Sequence, residues 1–371
     1  MNEDWARKVW DRKGFSGRFL WILFLPLSFL FCLGVRVRNL LYSLGCIPTR
    51  KLPCAVVSVG NLTVGGTGKT PTTLWLAEEL GKRGYRVAIL SRGYKRGGRK
   101  PTVLKPGFSR SASLGNGNHP KENPDEDPKA VGDEPAMMAG LFGQWVGVGK
   151  NRYEVGNQLL RDAPVDVFLL DDGFQHRRLR RDIDLLLLGS DSNGWLIPAG
   201  PFREPKSSLR RANLCLVTGA REAWKVELAR YDEPPSIFFG VLQPKGLLTL
   251  DGDERKEHPI GILGRRKILT VSGIARPDSF RRMIHDWGGE IVGNMEFPDH
   301  HIYSAKDWQR ITRAARSVDL IITTEKDILK LVRFPFAKEQ LMALRVGMVV
   351  EEGDSLIQAV EDVIRGRMRG A

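Results

Sequence analysis

Cysteine is scarce in this 371-residue chain, which holds only Cys32, Cys46, Cys54 and Cys215. None of the four belongs to a C-x-x-C pair, and no Cys/His spacing matches a zinc site. That excludes a disulfide framework and a zinc module as organising principles and leaves reduced thiols of a cytoplasmic protein. Acidic residues are outnumbered, 43 Asp and Glu against 57 Lys and Arg, for a formal net charge of +14. A partner carrying phosphate or another anionic group is expected. No helix-turn-helix, zinc finger or aromatic RNA platform is visible, so nucleic acid is not the expected partner. Long apolar runs are missing too, with one exception near the N-terminus.

That exception is Phe19–Val35, seventeen residues without a charge. Arg7, Lys8, Arg12, Lys13 and Arg18 precede it; Arg36 and Arg38 follow. The length lies at the bottom of the spanning range, roughly 17–25 residues, and Pro26 in its middle would kink a helix. A cleaved signal peptide is disfavoured, because no small-x-small site follows and Arg36-Val37-Arg38 stands where cleavage would occur. All faces are apolar, so membrane attachment is expected, either as a span or as a kinked helix dipping into the cytoplasmic leaflet. Positive charge on both flanks fixes no orientation.

The remainder has a globular balance, 42% apolar and 27% charged over the chain, and is long enough for two domains. Short apolar runs alternate with helical segments from Leu52 to about Ala220. The strands expected are Ala55–Val59, Arg86–Leu90, Val165–Leu170, Ile183–Leu188 and Leu214–Thr218; the helices include Lys69–Arg83, Pro135–Leu141 and Arg152–Arg161. Such alternation indicates a mostly parallel sheet covered on both faces. Residues 96–129 lack periodicity and read as a long loop, a lid or an insertion. Pro235–Leu250 reads as a hairpin or linker strands turning near Pro244-Lys245-Gly246. A second α/β unit follows, with strands Lys267–Val271, Glu290–Val292, Leu320–Thr324 and Ala343–Val350, and helices Ser279–Trp287, Ala305–Arg316 and Ser355–Arg365. The expected fold is a P-loop NTPase-like α/β domain, a smaller second α/β domain and an N-terminal membrane helix. The expected divisions are 1–36, 37–234, 235–256 and 257–371.

The strongest chemical signal is the buried strand Ala55–Val59 running into Gly60-Asn-Leu-Thr-Val-Gly65-Gly66-Thr67-Gly68-Lys69-Thr70-Pro71. Glycines let the backbone curl so that successive N–H groups point at phosphate oxygens, and the helix that follows adds its positive dipole end. Lys69 would reach the β- and γ-phosphates of ATP, and Thr70 would offer its hydroxyl to Mg2+. Pro71 falls in the first helical turn, where a missing N–H costs little. The common G-x-x-x-x-G-K-[ST] pattern has Gly where Thr63 stands here. A second signal, Asp171-Asp172-Gly173-Phe174-Gln175-His176, places two carboxylates at the C-terminal end of a buried strand, where a P-loop fold needs a metal ligand and an organiser of the nucleophile. A third, Gly132-Asp133-Glu134-Pro135, is by itself good helix-start chemistry.

These segments occur in one order with SRGY (Ser91–Tyr94), PAGPFREP (Pro198–Pro205), FPDHH (Phe297–His301) and TTEKD (Thr323–Asp327). Together they span about residues 52–330, and the chain resembles the lipid A 4'-kinase (tetraacyldisaccharide 4'-kinase) family. The resemblance implies ATP-dependent phosphorylation of the 4'-hydroxyl of an acylated glucosamine disaccharide 1-phosphate, giving lipid IV-A at the cytoplasmic face of the bacterial inner membrane. It makes Asp133 the catalytic carboxylate, acting with His300 of the second lobe, while Lys69 and Asp172 serve the transferring phosphoryl group. Gly65, Gly66, Thr67, Gly68, Lys69 and Thr70 would bind nucleotide; Thr70, Glu134 and Asp171 would hold Mg2+. His176 and His301 are rival bases. The run Arg177, Arg178, Arg180 and Arg181 would face lipid headgroups or the substrate's 1-phosphate. Arg203 and Glu204 either line the same pocket or fix a turn, and Lys150 takes no role. The competing reading is a membrane-bound P-loop ATPase of the partitioning or metal-insertion type. Those usually carry Lys before the glycine pair, where this chain has Val64.

Overall fold

A computed structural model describes residues 3–93, 100–107, 131–251, 254–274, 277–337 and 339–369. Most of the aperiodic 96–129 segment lies outside them. The described residues form two compact units, neither of them one continuous stretch. The first comprises Met1–Arg92, Asn151–Val241 and Val349–Ala371; the second comprises Gly93–Lys150 and Leu242–Met348.

The first unit is built on strands β1 (Ala55–Asn61), β2 (Val87–Ser91), β5 (Val167–Asp171), β6 (Ile183–Leu188), β7 (Leu214–Val217) and the start of β8 (Ser236–Asp251). They lie in the order β8-β7-β6-β1-β5-β2, and every pairing along that path is parallel. All residues of β1, β5 and β6 are buried. That is why their sequences run apolar continuously instead of alternating. A core of Leu62, Phe174, Leu186, Leu188, Phe202, Leu209, Cys215 and Trp224 packs on this sheet.

The second unit carries β10 (Lys267–Ser272), β11 (Glu290–Glu296), β12 (Leu320–Thr324) and β13 (Leu341–Val350) in the parallel order β11-β10-β12-β13. Strands β3 (Thr102–Leu104) and β4 (Trp145–Val148) form an antiparallel pair. No hairpin turns at Pro244–Gly246, because β8 runs unbroken to Asp251 and pairs antiparallel with β9 (Glu254–His258). Leu247 and Leu248 are buried, and Leu247 joins the core with Ile268, Ile284 and Ile322. Burying those side chains keeps the strand extended through Pro-Lys-Gly.

The contiguous division at 37–234 and 257–371 therefore does not describe the packing. Residues 93–150 cluster with 242–348, and the C-terminal helix (Gly353–Arg369) returns to the first unit. There Asp354 accepts from Arg83 at 2.6 Å, and Leu52 O accepts from Arg367 at 3.2 Å.

At the N-terminus, α1 (Glu3–Trp10) precedes α2 (Gly14–Ser43), which extends well beyond the apolar run and contains Pro26. By length and composition α2 could cross a membrane, and about a tenth of its most apolar window is buried. Phe15, Phe19, Ile22, Leu23, Phe29, Leu30 and Leu40 are all more than half exposed. The opposite side is fastened by polar groups. Ser28 donates to Leu196 O at 2.8 Å and accepts from Ala199 N at 2.9 Å, and Trp10 donates to Pro198 O at 3.0 Å. Glu204 is fully buried and accepts from Arg38, Asn39, Ser208 and Arg211 at 2.7–3.2 Å. Of the two readings left open for Glu204, the pocket and the structural fix, its contacts belong to the second.

Replacing Glu204 by Ala leaves the partly buried Arg211 and Arg38 without their anion, and breaking a fully buried ion pair from one side costs about 3–5 kcal/mol, the upper bound here. Denaturant titration of the detergent-solubilised Glu204→Ala protein should show a loss within that bound, with earlier proteolysis within α2. Wild-type stability in this variant would reject Glu204 as the clasp.

Candidate active site

Parallel pairing of β1 with β5 sets Val59 opposite Asp171, so the turns that leave both strands emerge at the same edge of the sheet. The first turn opens α3 (Lys69–Lys82). Gly65 and Gly68 have φ of 110° and 88°, a region that favours glycine, and Gly68 is the N-cap of α3. Thr63 forms an isolated antiparallel bridge with Phe202. Extended backbone accepts any side chain, which explains how Thr replaces the usual Gly at that position. Asn61 donates to Thr67 Oγ1 at 2.9 Å, and Gln175 donates to Asn61 O at 3.0 Å. The two turns also touch directly, since a Cβ added at Gly60 would stand 2.5 Å from Phe174 Cβ.

The two carboxylates have different partners. Asp171 is buried and accepts from Thr70 Oγ1 at 3.4 Å and Thr73 Oγ1 at 3.3 Å. Asp172 takes a left-handed backbone, φ 53°, and accepts a bidentate pair from Arg203 at 2.9 and 3.0 Å. Lys69 Nζ lies 3.7 Å from the same carboxylate. Burial works to raise the Asp172 pKa, but the Arg203 and Lys69 charges outweigh it and hold the group well below the usual carboxylate range. Arg203 also donates to Thr63 O at 3.2 Å and to Asn61 Oδ1. It is thus part of the phosphate-loop assembly, and of the two readings left open for Arg203 its contacts belong to the pocket. Arg152 is a second cation that the sequence did not single out. Burial, followed by repulsion from Arg92, lowers its pKa to about 10, while Asp172 and Asp171 oppose that shift.

The second unit holds Asp133 and Glu134 at the start of α4 (Asp133–Gly140). His300 lies in the same unit rather than in a separate lobe, because residues 93–150 pack with 242–348. Its Nδ1 is 3.2 Å from Asp133 Oδ2. Nε2 lies 3.3 Å from Lys326 Nζ and 3.4 Å from Asp299 Oδ2. Neutral His300 with Nδ1–H donating to Asp133 and Nε2 accepting from Lys326 satisfies both contacts. His300 has φ 66°, which costs a non-glycine residue about 1–2 kcal/mol. Strain of this kind concentrates at functional sites.

The rival histidines have other duties. His301 Nε2 lies 3.1 Å from Asp307, whose carboxylate also completes the capping box at Ser304, and its ring stacks on Phe297. Burial lowers the His176 pKa to about 3, helped by Arg152, Arg181 and Arg178, which leaves a poor base. The arginine run divides. Arg177 donates to Asn39 O at 2.8 Å and Arg181 pairs with Asp184 at 2.8 Å, whereas Arg178 and Arg180 are exposed. Only the exposed two suit the expected contact with phosphate.

His176 sets a pH dependence. Its folded pKa of about 3 lies below the ordinary imidazole value of 6.5. Between those values the unfolded chain binds a proton that the folded chain refuses, so stability falls as pH drops. Tm should therefore decline less from pH 7 to pH 5 in His176→Gln than in the wild type. Parallel Tm curves for the two proteins would contradict this.

A family model, tetraacyldisaccharide-1-P 4'-kinase (LpxK), matches residues 20–365. A tetraacyldisaccharide 4'-kinase from Syntrophus aciditrophicus is 37% identical, over 97% of this chain and 98% of its own length. Another from Anaeromyxobacter sp. is 34% identical, over 90% of this chain and 88% of its own. A crystal structure of LpxK from Aquifex aeolicus in complex with ATP superposes with a TM-score of 0.75 at 32% identity, covering 93% of this chain and 99% of that one. With a phosphate-loop fold and matches over nearly its full length, the chain belongs to the tetraacyldisaccharide 4'-kinase family.

Proposed function

We propose that the protein transfers the γ-phosphoryl group of ATP to the 4'-hydroxyl of a tetraacyl glucosamine disaccharide 1-phosphate, forming lipid IV-A at the cytoplasmic face of the inner membrane. The observation that carries this reading is the assembly at the ends of β1 and β5. There a lysine and an arginine converge on Asp172, while Thr70 faces Asp171. Phosphoryl transfer needs mainly positioning and positive charge around a spreading negative one. Lys69 holds the β- and γ-phosphates, and Arg203 keeps Asp172 anionic and oriented beside it.

Thr70 and Asp171 fit Mg2+. A hydroxyl and a carboxylate oxygen 3.4 Å apart suit an ion that takes few protein ligands and completes its shell with phosphates and water. Accordingly, no cluster of three or more acidic, His or Cys ligands occurs among the described residues. When bound, Mg2+ neutralises charge developing on the phosphoryl oxygens. Glu134 adjoins Asp133 at the start of α4.

Asp133 takes the proton of the attacking hydroxyl, and His300 holds the carboxylate in place through Nδ1. The exposed apolar side of α2 sits in the bilayer, and the exposed Arg178 and Arg180 meet anionic headgroups or the substrate's phosphate. The substrate's acyl chains place it at the same surface.

The test uses purified protein, γ-labelled ATP, Mg2+ and the tetraacyldisaccharide 1-phosphate in detergent micelles. Label should enter the organic phase on the 4'-position. Label appearing only as aqueous phosphate would identify an ATPase. Lys69→Ala should lose on the order of 10²–10³ in kcat, as expected for one missing charge stabiliser, with the fold intact. If Asp133 and His300 act as one unit, the double variant Asp133→Ala/His300→Ala should be hardly slower than the worse single variant, whereas independent roles would multiply.

A further inference from the structure

Lys330 is a buried ammonium to which neither the sequence motifs nor the proposed chemistry assigns a role. It lies on the seven-residue helix α9 (Glu325–Leu331 in chain order), which packs against α4 in the same unit. The side chain is 5% exposed. Its Nζ lies 2.8 Å from Asp133 Oδ2, 3.3 Å from Asp327 Oδ1 and 3.2 Å from His301 O. A lysine ammonium has three protons, and three acceptors surround this one.

The acceptors are unequal in what they do. Asp327 is itself fully buried and fixed, its Oδ2 accepting from Gly273 N at 2.8 Å and Thr324 Oγ1 at 2.9 Å. It therefore serves as an anchor for the ammonium. The other two acceptors are the carboxylate of Asp133 and the backbone carbonyl of His301, the residue that follows the left-handed His300. One cation thus ties Asp133 and the segment carrying His300 to a single fixed point. It shares Asp133 Oδ2 with His300 Nδ1, which orients the carboxylate.

We propose that Lys330 is a positioning residue for the phosphoryl-acceptor step, holding the Asp133 carboxylate in register with His300. This rests on the reading of Asp133 as the base. Around the pair, Asp133 faces His300 and Lys330; His300 faces Asp299 and Lys326; Lys330 faces Asp327. Buried Tyr303 lies within electrostatic reach of Asp327 and Asp133, and Glu134 adjoins Asp133 along α4. Glu325, at the other end of α9, has its pKa pushed up to about 7 by burial; it pairs with Arg345 and the Val346 N–H.

The experiment compares kcat and both KM values for wild type, Lys330→Met, Lys330→Arg and Asp133→Asn on micellar lipid substrate. Lys330→Met should lose about 10–100-fold in kcat, part of the 10²–10⁴ that a general base supplies, with both KM values near wild type. Lys330→Arg should recover kcat in part, since a planar guanidinium restores the charge but not the three-way geometry. Lys330→Gln replaces the Met variant if the latter fails to fold. A folded neutral variant with wild-type kcat, or one whose loss falls in KM and is not relieved in Lys330→Arg, overturns the proposal, and so does failure of both neutral variants to fold. Near-wild-type turnover in Asp133→Asn instead rejects the base reading itself, a result distinguishable from failure at Lys330 alone.

Discussion

Strands β1 and β5 run side by side and parallel, with Val59 opposite Asp171. Every feature of the phosphate-handling end depends on that register. A parallel pair brings two C-terminal strand ends to one edge, so a glycine turn opening a helix and a carboxylate turn emerge as neighbours. Moving one strand by a single residue would turn its side chains to the opposite face of the sheet. The register is protected by burial on both faces of β1, β5 and β6. The apolar sheet thus serves chemistry at its margin by fixing where Lys69, Thr70, Asp171 and Asp172 begin.

The two candidate carboxylates, Asp172 and Asp133, are treated alike although they stand in different units. Each is met by a lysine and by a second nitrogen donor: Lys69 with Arg203 in one case, Lys330 with His300 in the other. Each also involves an uncommon left-handed backbone, at Asp172 itself and at His300. A partly buried anion is held in place by close positive partners, and a left-handed residue aims its side chain where a regular strand or helix would not. Both are costs to folding, met by the long apolar strands on either side.

Much of this was legible in the sequence. The parallel strands of both units were placed within a few residues, because apolar runs leave little freedom in assignment, whereas the short or polar strands β3, β4 and β9 were not expected. The glycine loop, the Asp171-Asp172 pair and the ordered motifs gave the family. The partition into units was not legible, since nothing local in residues 93–150 says that they pack with 242–348. Nor was α9. It follows β12 without a loop and is seven residues long, too short for a helical period to declare itself. Lys330 was hidden with it. Arg152 was missed and Arg203 was left between a pocket and a turn for another reason: an arginine on a turn or at a helix start looks the same whether it faces solvent or a carboxylate. The hairpin expected at Pro244–Gly246 failed because turn-forming residues were weighed without Leu247 and Leu248, whose burial keeps the chain straight.

The near-contact between Gly60 and Phe174 has a mechanical consequence. With only hydrogen at Gly60, the glycine turn and the carboxylate turn sit closer than any side chain would permit, and Gly173 is equally tight against Ser58 and Leu170. Neither turn has slack against the other. They form one stiff jaw, so the spacing between the lysine and the two aspartates is fixed by the sheet and cannot be adjusted by either loop alone. Any accommodation of a bulky, slowly diffusing lipid must come from elsewhere in the protein.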